Sequence, residues 1–196
     1  VVLFCKFSVQ IIFLSNTASF LFFFFQKAWD DPSWGTRNNP GAEANVARLL
    51  EAFRKAGRHV FHVKHDAKDP KSPLHPEEPG NAFKPEAAPL PGEPVVAKRV
   101  HSAFIGTDLE AQLRAREVDL LVIAGLLTSW CVSSAARTAS NLGFKVVVVH
   151  DACATFAMED PFGGMVDAET LHRAGLTELH GAFAVVLGTE DVLAMA

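Results

Sequence analysis

The stretch Glu117-Val-Asp-Leu-Leu-Val-Ile-Ala-Gly-Leu-Leu-Thr-Ser-Trp-Cys-Val-Ser-Ser-Ala-Ala-Arg-Thr-Ala-Ser-Asn-Leu-Gly-Phe-Lys-Val-Val-Val-Val-His-Asp-Ala-Cys153 decides the fold. It reads strand, sharp turn, helix, strand. Leu120 to Ala124 is an unbroken apolar run, the pattern of a parallel strand buried on both faces. Gly125 interrupts it. Val132, Ala135, Ala136, Ala139 and Leu142 then recur at helical spacing, and Gly143 supplies a stop. Phe144 to Val149 reads as a second buried strand, ended by His150 and Asp151. Cys131 thus falls at a helix start, just past the carboxyl end of a strand, where open parallel sheets bind ligands. The helix start offers N–H groups and a positive dipole end, which favour the thiolate of Cys131.

Working outward, the chain alternates strand and helix signals. Asn39 and Pro40 predict a helix start, N-cap then first turn, with Val46, Leu49, Leu50 and Phe53 forming one apolar face and Gly57 ending it. His59 to His65 reads as a strand. Residues 66–94 are a loop with eight prolines, and long loops in compact domains are usually functional. Pro94 to Lys98 is a short strand, and Thr107-x-x-Glu110 reads as a capping box opening a short helix with Leu109 and Leu113 inward. Ala152 to Phe156 reads as a turn and residues 157–167 as a loop. A helix over Glu169 to Leu179, a strand over Ala182 to Leu187 and a last helix over Asp191 to Met195 complete the chain. This order predicts a three-layer α/β domain over residues 26–196, Rossmann-like, with a mainly parallel sheet of about six strands.

With 196 residues, 49% apolar and 20% charged, the chain has the balance of one soluble globular domain. A net charge of −4 argues against a nucleic-acid partner, which needs a basic face. Cys5, Cys131 and Cys153 are odd in number and follow no framework spacing, so a reducing, cytoplasmic setting is expected. No Gly-x-Gly-x-x-Gly follows a strand, which speaks against dinucleotide binding. His59, His62, His65 and His75 invite a metal reading. In a strand, however, His62 points away from the face shared by His59 and His65, so no metal site is expected.

Residues 1–25 stand apart. They are rich in Phe, Ile and Leu, with Lys6 the only charge, and end in Phe20-Leu-Phe-Phe-Phe-Phe25. Three readings stay open. One is a signal or membrane segment, although polar residues interrupt it well short of the ~18 apolar residues of a spanning helix, so no membrane association is expected. Another is a strand preceded by an irregular arm. The third is a pyrimidine-rich intron end, followed by CAG, translated into Phe codons and Gln26.

Two motifs in combination carry a family resemblance: Gly125-x-x-Thr128-x-x-Cys131-Val132, and Lys98-Arg-Val-His-Ser-Ala-Phe104 with its continuation to Glu110. From about Gln26 to Leu193 the chain resembles the isochorismatase-like cysteine hydrolases, which include nicotinamidases and N-carbamoylsarcosine amidase. The resemblance implies Cys131 as nucleophile and Lys98 as its catalytic lysine. It also implies an oxyanion hole from the backbone N–H groups of Leu127 and Cys131, with a cis Leu126–Leu127 bond. The family's third member, an Asp two residues before a Gln, aligns with Phe24. Asp30 and Asp31 lie in the following loop and read as solvated acids. The metal-holding Asp-x-His pattern of nicotinamidases is absent, and no cofactor is implied. Phe104, Phe156, Trp34 and the large indole of Trp130 are the expected pocket walls, and Trp29 is an alternative to Trp34. Cys153 reads as buried packing. The implied reaction is hydrolysis of a C–N bond in a small amide or carbamoyl compound through a thioester. The implied assembly is a homodimer or larger homo-oligomer. Phe24 in place of Asp supports an alternative, a catalytically impaired binding or scaffold protein.

Overall fold

A computed structural model of the chain describes the backbone of residues 18–23 and all of residues 25–195. Among the described residues there are eight strands: β1 (Ala18–Phe23), β2 (Val60–His65), β3 (Val95–Lys98), β4 (Leu120–Leu126), β5 (Lys145–Ala154), β6 (Met158–Glu159), β7 (Met165–Val166) and β8 (Val185–Leu187). Six form one sheet in the order β3-β2-β1-β4-β5-β8, with every pairing parallel. The helices are α1 (Ala42–Lys55), α2 (Leu109–Ala115), α3 (Ser133–Asn141), α4 (Ala168–Leu179) and α5 (Thr189–Leu193). α1 packs with α5 and α3 with α4, each pair also touching the sheet, which gives the three layers.

The apolar patterns place the core. All seven residues of β4 are buried, as the continuous run from Leu120 required. Val46, Leu49, Leu50 and Phe53 form the buried face of α1. β1 runs parallel to both β2 and β4, with Phe23 opposite Val63 and Gly125. Residues 18–23 therefore form a strand in the middle of the sheet, part of the domain that the sequence pattern begins at residue 26. Among the described residues no helix is long and apolar enough to cross a membrane.

Several expected boundaries move. β5 does not stop at His150-Asp151 but continues to Ala154. Its register against β4 slips between Ile123 and Gly125, so the polar pair rides in a bulge. Asn39 Nδ2 donates to the carbonyls of His150 (3.0 Å) and Cys153 (2.7 Å), and Asn45 Nδ2 to that of Asp151 (2.9 Å). These bonds satisfy the carbonyls that the bulge takes out of the ladder. Asn39 is therefore not the cap of α1. Its φ is +44°, and Gly41 occupies the cap position. The predicted capping box before α2 does not form either. Thr107 Oγ1 donates to the Ala103 carbonyl and accepts from Leu109 N–H at 3.4 Å, and Asp108 precedes the helix without a side-chain cap. The loop at 157–167 contains the small β6–β7 hairpin. The Pro-rich loop holds two 3-10 turns, Pro79–Asn81 and Pro85–Ala87.

Candidate active site

The turn after β4 sets up the site. Leu126–Leu127 is a cis peptide bond. Thr128–Val132 then forms a wide helical turn in which the N–H groups of Trp130 and Val132 both donate to the Leu127 carbonyl. α3 follows at Ser133. Cys131 rides in this turn, 6% exposed, at the carboxyl end of the sheet.

Lys98 ends β3, two strands beyond β4's neighbour β1 in the sheet order, and its long side chain spans that gap. Its Nζ lies 3.4 Å from Cys131 Sγ, and Lys98 is 1% exposed. The same nitrogen donates to the Val100 carbonyl and lies 3.2 Å from His65 Nδ1. A second nitrogen faces the sulfur, His101 Nδ1 at 3.8 Å. The His101 ring meets the Trp130 ring edge-on at 5.8 Å between centroids. A cavity of about 280 Å³, lined by His101, Ser129, Trp130, Ser133 and Ser134, adjoins the turn.

Burial governs the electrostatics. It pushes the Cys131 thiol up, while the Lys98 ammonium and a hydrogen bond from Leu127 N–H pull it back without reversing the shift. Burial likewise lowers Lys98, and the thiolate beside it opposes that shift. The thiol expected to be depressed is thus raised, because desolvation outweighs the Lys98 cation and the Leu127 N–H. Each group alone favours its neutral form, so an ionised sulfur here depends on the neighbouring cation. Burial, followed by the charges of Lys98 and His101, pushes His65 down to about 4, so its ring is neutral at pH 7.

Other expected residues spread out. Trp34 stacks on Phe156 at 6.0 Å and tilts against Trp29 at 4.8 Å, and Trp34 Nε1 donates to the Ala28 carbonyl. Phe156 follows β5, so this aromatic group sits at the same end of the sheet as Cys131. Phe104, expected as a pocket wall, instead packs against Phe144, 6.1 Å away, beside the start of β5 and the opposite end of the sheet. Its turn is anchored by Ser102 Oγ donating to Thr138 Oγ1 on α3, which aims the ring that way. Trp130 is 42% exposed at the cavity mouth. Phe24 lies outside the described residues. Asp30 is not simply solvated, because it pairs with the buried Lys84. His62 is committed to Glu93 at 2.7 Å, and among the described residues no three His, Cys, Asp or Glu gather as metal ligands.

Three polar residues near the site escaped sequence reasoning. His101 lies inside the Lys98–Glu110 motif, yet nothing in its spacing marks it. His65 reads in the sequence only as a candidate metal ligand. His172, on α4 and 3% exposed, places Nδ1 2.8 Å from Thr128 Oγ1 and so ties the Cys131 turn to that helix.

Residues 17–191 match the Isochorismatase domain family. An uncharacterised isochorismatase family protein, YrdC of Bacillus subtilis, is 41% identical over 168 residues, which cover 86% of this chain and 90% of that protein. The crystal structure of an isochorismatase-family protein from Chromobacterium violaceum superposes with a TM-score of 0.91 at 46% identity, covering 93% of this chain and 94% of the other. A maleamate amidohydrolase of Pseudomonas putida is 33% identical over 112 residues, 57% of this chain and 47% of that enzyme.

Proposed function

The chain belongs to the isochorismatase family, and from that premise we propose that it is a hydrolase of a small amide or carbamoyl compound, working through Cys131 without a cofactor. The observation that carries this reading is the buried Lys98–Cys131 contact of 3.4 Å at the carboxyl end of a parallel sheet. The Cys131 sulfur, ionised beside the Lys98 ammonium, attacks the carbonyl carbon of the substrate. The N–H groups of Cys131 and Leu127 receive the developing oxyanion, each such donor being worth about 3 kcal/mol in the transition state. The tetrahedral centre collapses with loss of ammonia or an amine, and water then cleaves the thioester. Isochorismatases proper cleave a vinyl ether and lack the cysteine, so Cys131 favours the C–N branch. The amidohydrolase among its relatives agrees with that branch.

A second reading rests on Phe24 at the family's Asp position. Without that base the chain acts as a binding or scaffold protein. Ammonia release from a panel of small amides, by this chain and by Phe24→Asp, separates the two. Release by the parent supports the hydrolase. Release by Phe24→Asp alone supports the impaired form. Silence from both, with folding intact, overturns the hydrolase reading.

A further inference from the structure

Resting on the hydrolase reading, we propose that His101 is the general base and acid of this site, taking the Cys131 proton at Nδ1 and delivering it to the leaving nitrogen. The geometry favours His101 over Lys98. An ammonium carries three hydrogens and no acceptor. Around Lys98 Nζ lie the Val100 carbonyl, His65 Nδ1 and Cys131 Sγ. His65 is neutral at pH 7 and so can accept. Lys98 is therefore set to donate toward the sulfur, which stabilises a thiolate but does not remove a proton. His101 Nδ1 lies 3.8 Å from the sulfur, within hydrogen-bonding range for a thiol. Its edge contact with Trp130 orients the ring, and its exposure lets it exchange protons with water. It also lines, with Ser129 and Trp130 of the Cys131 turn, the cavity of about 280 Å³.

The steps balance without another reactant than water. The S–H proton passes to His101, the S–C bond forms and the carbonyl electron pair moves to oxygen. The oxyanion collapses, the C–N bond breaks and His101 gives its proton to the departing nitrogen. His101 then takes a proton from water as the C–O bond forms. The C–S bond breaks and the proton returns to sulfur. Among the described residues, Lys98 adjoins the Cys131 sulfur and His65 adjoins Lys98, so both bear on the proton of the thiol.

The test is the rate of iodoacetamide labelling of Cys131 in the full chain, read on its peptide by mass spectrometry over a pH series. The variants are His101→Gln and His101→Ala, the latter with and without added imidazole. With His101 as base, His101→Gln slows labelling at pH 7 about tenfold, and imidazole restores the rate of His101→Ala. Labelling of His101→Gln within about twofold of the parent, or no response of His101→Ala to imidazole, overturns the inference. Labelling needs no substrate, so the two readings fail separately. Labelling that depends on His101 in a chain silent on every amide sinks only the hydrolase reading. Amide hydrolysis unchanged in His101→Gln sinks only the role of His101.

Discussion

Thr128 Oγ1 and His172 Nδ1 share a buried hydrogen bond of 2.8 Å that fastens the Cys131 turn to α4. Asn39 Nδ2 lies 3.4 Å from the other ring nitrogen of His172 while holding two carbonyls of the β5 bulge. Turn, helix and bulge thus meet at one imidazole. Thr128→Val keeps the shape and leaves that imidazole without its hydroxyl. A loss of about 1–3 kcal/mol in urea unfolding is expected. An unchanged unfolding midpoint would show that the bond does not hold the turn.

Acid should weaken the protein in two stages. His62, His65 and His172 all have their pKa lowered, with burial the largest cause in each. Unfolded, each takes a proton near 6.5. Their contribution is therefore complete above 6.5 and is lost as pH falls through the folded values, about 4 for His65. Glu43 and Glu93 are held down to about 2 against the opposing effect of burial, Glu43 by Arg37 and Lys84, Glu93 by Arg54, Leu90 N–H and His62. Their contribution is present above 4.5 and is lost as pH falls through about 2. Melting temperature should decline from pH 6.5 to 4 and again toward 2. A flat profile across the first window contradicts the histidine assignment.

Removing the buried cation should quiet the Cys131 thiol rather than unfold the chain. In Lys98→Met the thiol stays desolvated but loses the ammonium that opposes its upward shift. Labelling of Cys131 by iodoacetamide at pH 7 should slow at least about tenfold, and any amide hydrolysis with it. Labelling as fast as the parent would remove Lys98 from the chemistry.

The two described cysteines should behave oppositely. Cys153 is fully buried and burial pushes its thiol up to about 12. Native protein should label at Cys131 and not at Cys153, and urea should open both. Native adducts on the Cys153 peptide would mean that the end of β5 opens on the labelling timescale.

Lys84 clamps two loops. It is 5% exposed and donates to Asp30 and, at 2.7 Å, to Glu43, which Arg37 also grips with both of its terminal nitrogens. Lys84→Met should cost about 3 kcal/mol and raise the Glu43 carboxyl from about 2, seen as a shifted carbon resonance in an NMR titration. An unmoved Glu43 would mean that Arg37 alone holds it.

Much of this was legible from the chain. An apolar run followed by helical spacing has few solutions, and the structure adopts the expected strand, turn and helix, although β4 runs through Gly125 to Leu126. What escaped depends on distant partners. His150-Asp151 reads as a strand end because two polar residues seldom sit inside a buried sheet. Asn39 and Asn45, more than a hundred residues earlier, supply the donors that let β5 continue. Phe104 reads as a pocket wall because its motif carries the lysine, yet the bond from Ser102 to Thr138 turns it away. His101 nears Cys131 only because the turn after β3 folds back over the end of β4, and no local pattern encodes that approach.

The position of Ala18–Phe23 in the sheet bears on any shortened form of this protein. Excising that ribbon would leave β2–β3 and β4–β5–β8 as separate pieces, each with a raw margin of unpaired amides where a neighbour had been. Lys98 would stay with one piece and Cys131 with the other. A transcript lacking these codons could therefore encode a working molecule only if its alternative exon brought a replacement strand.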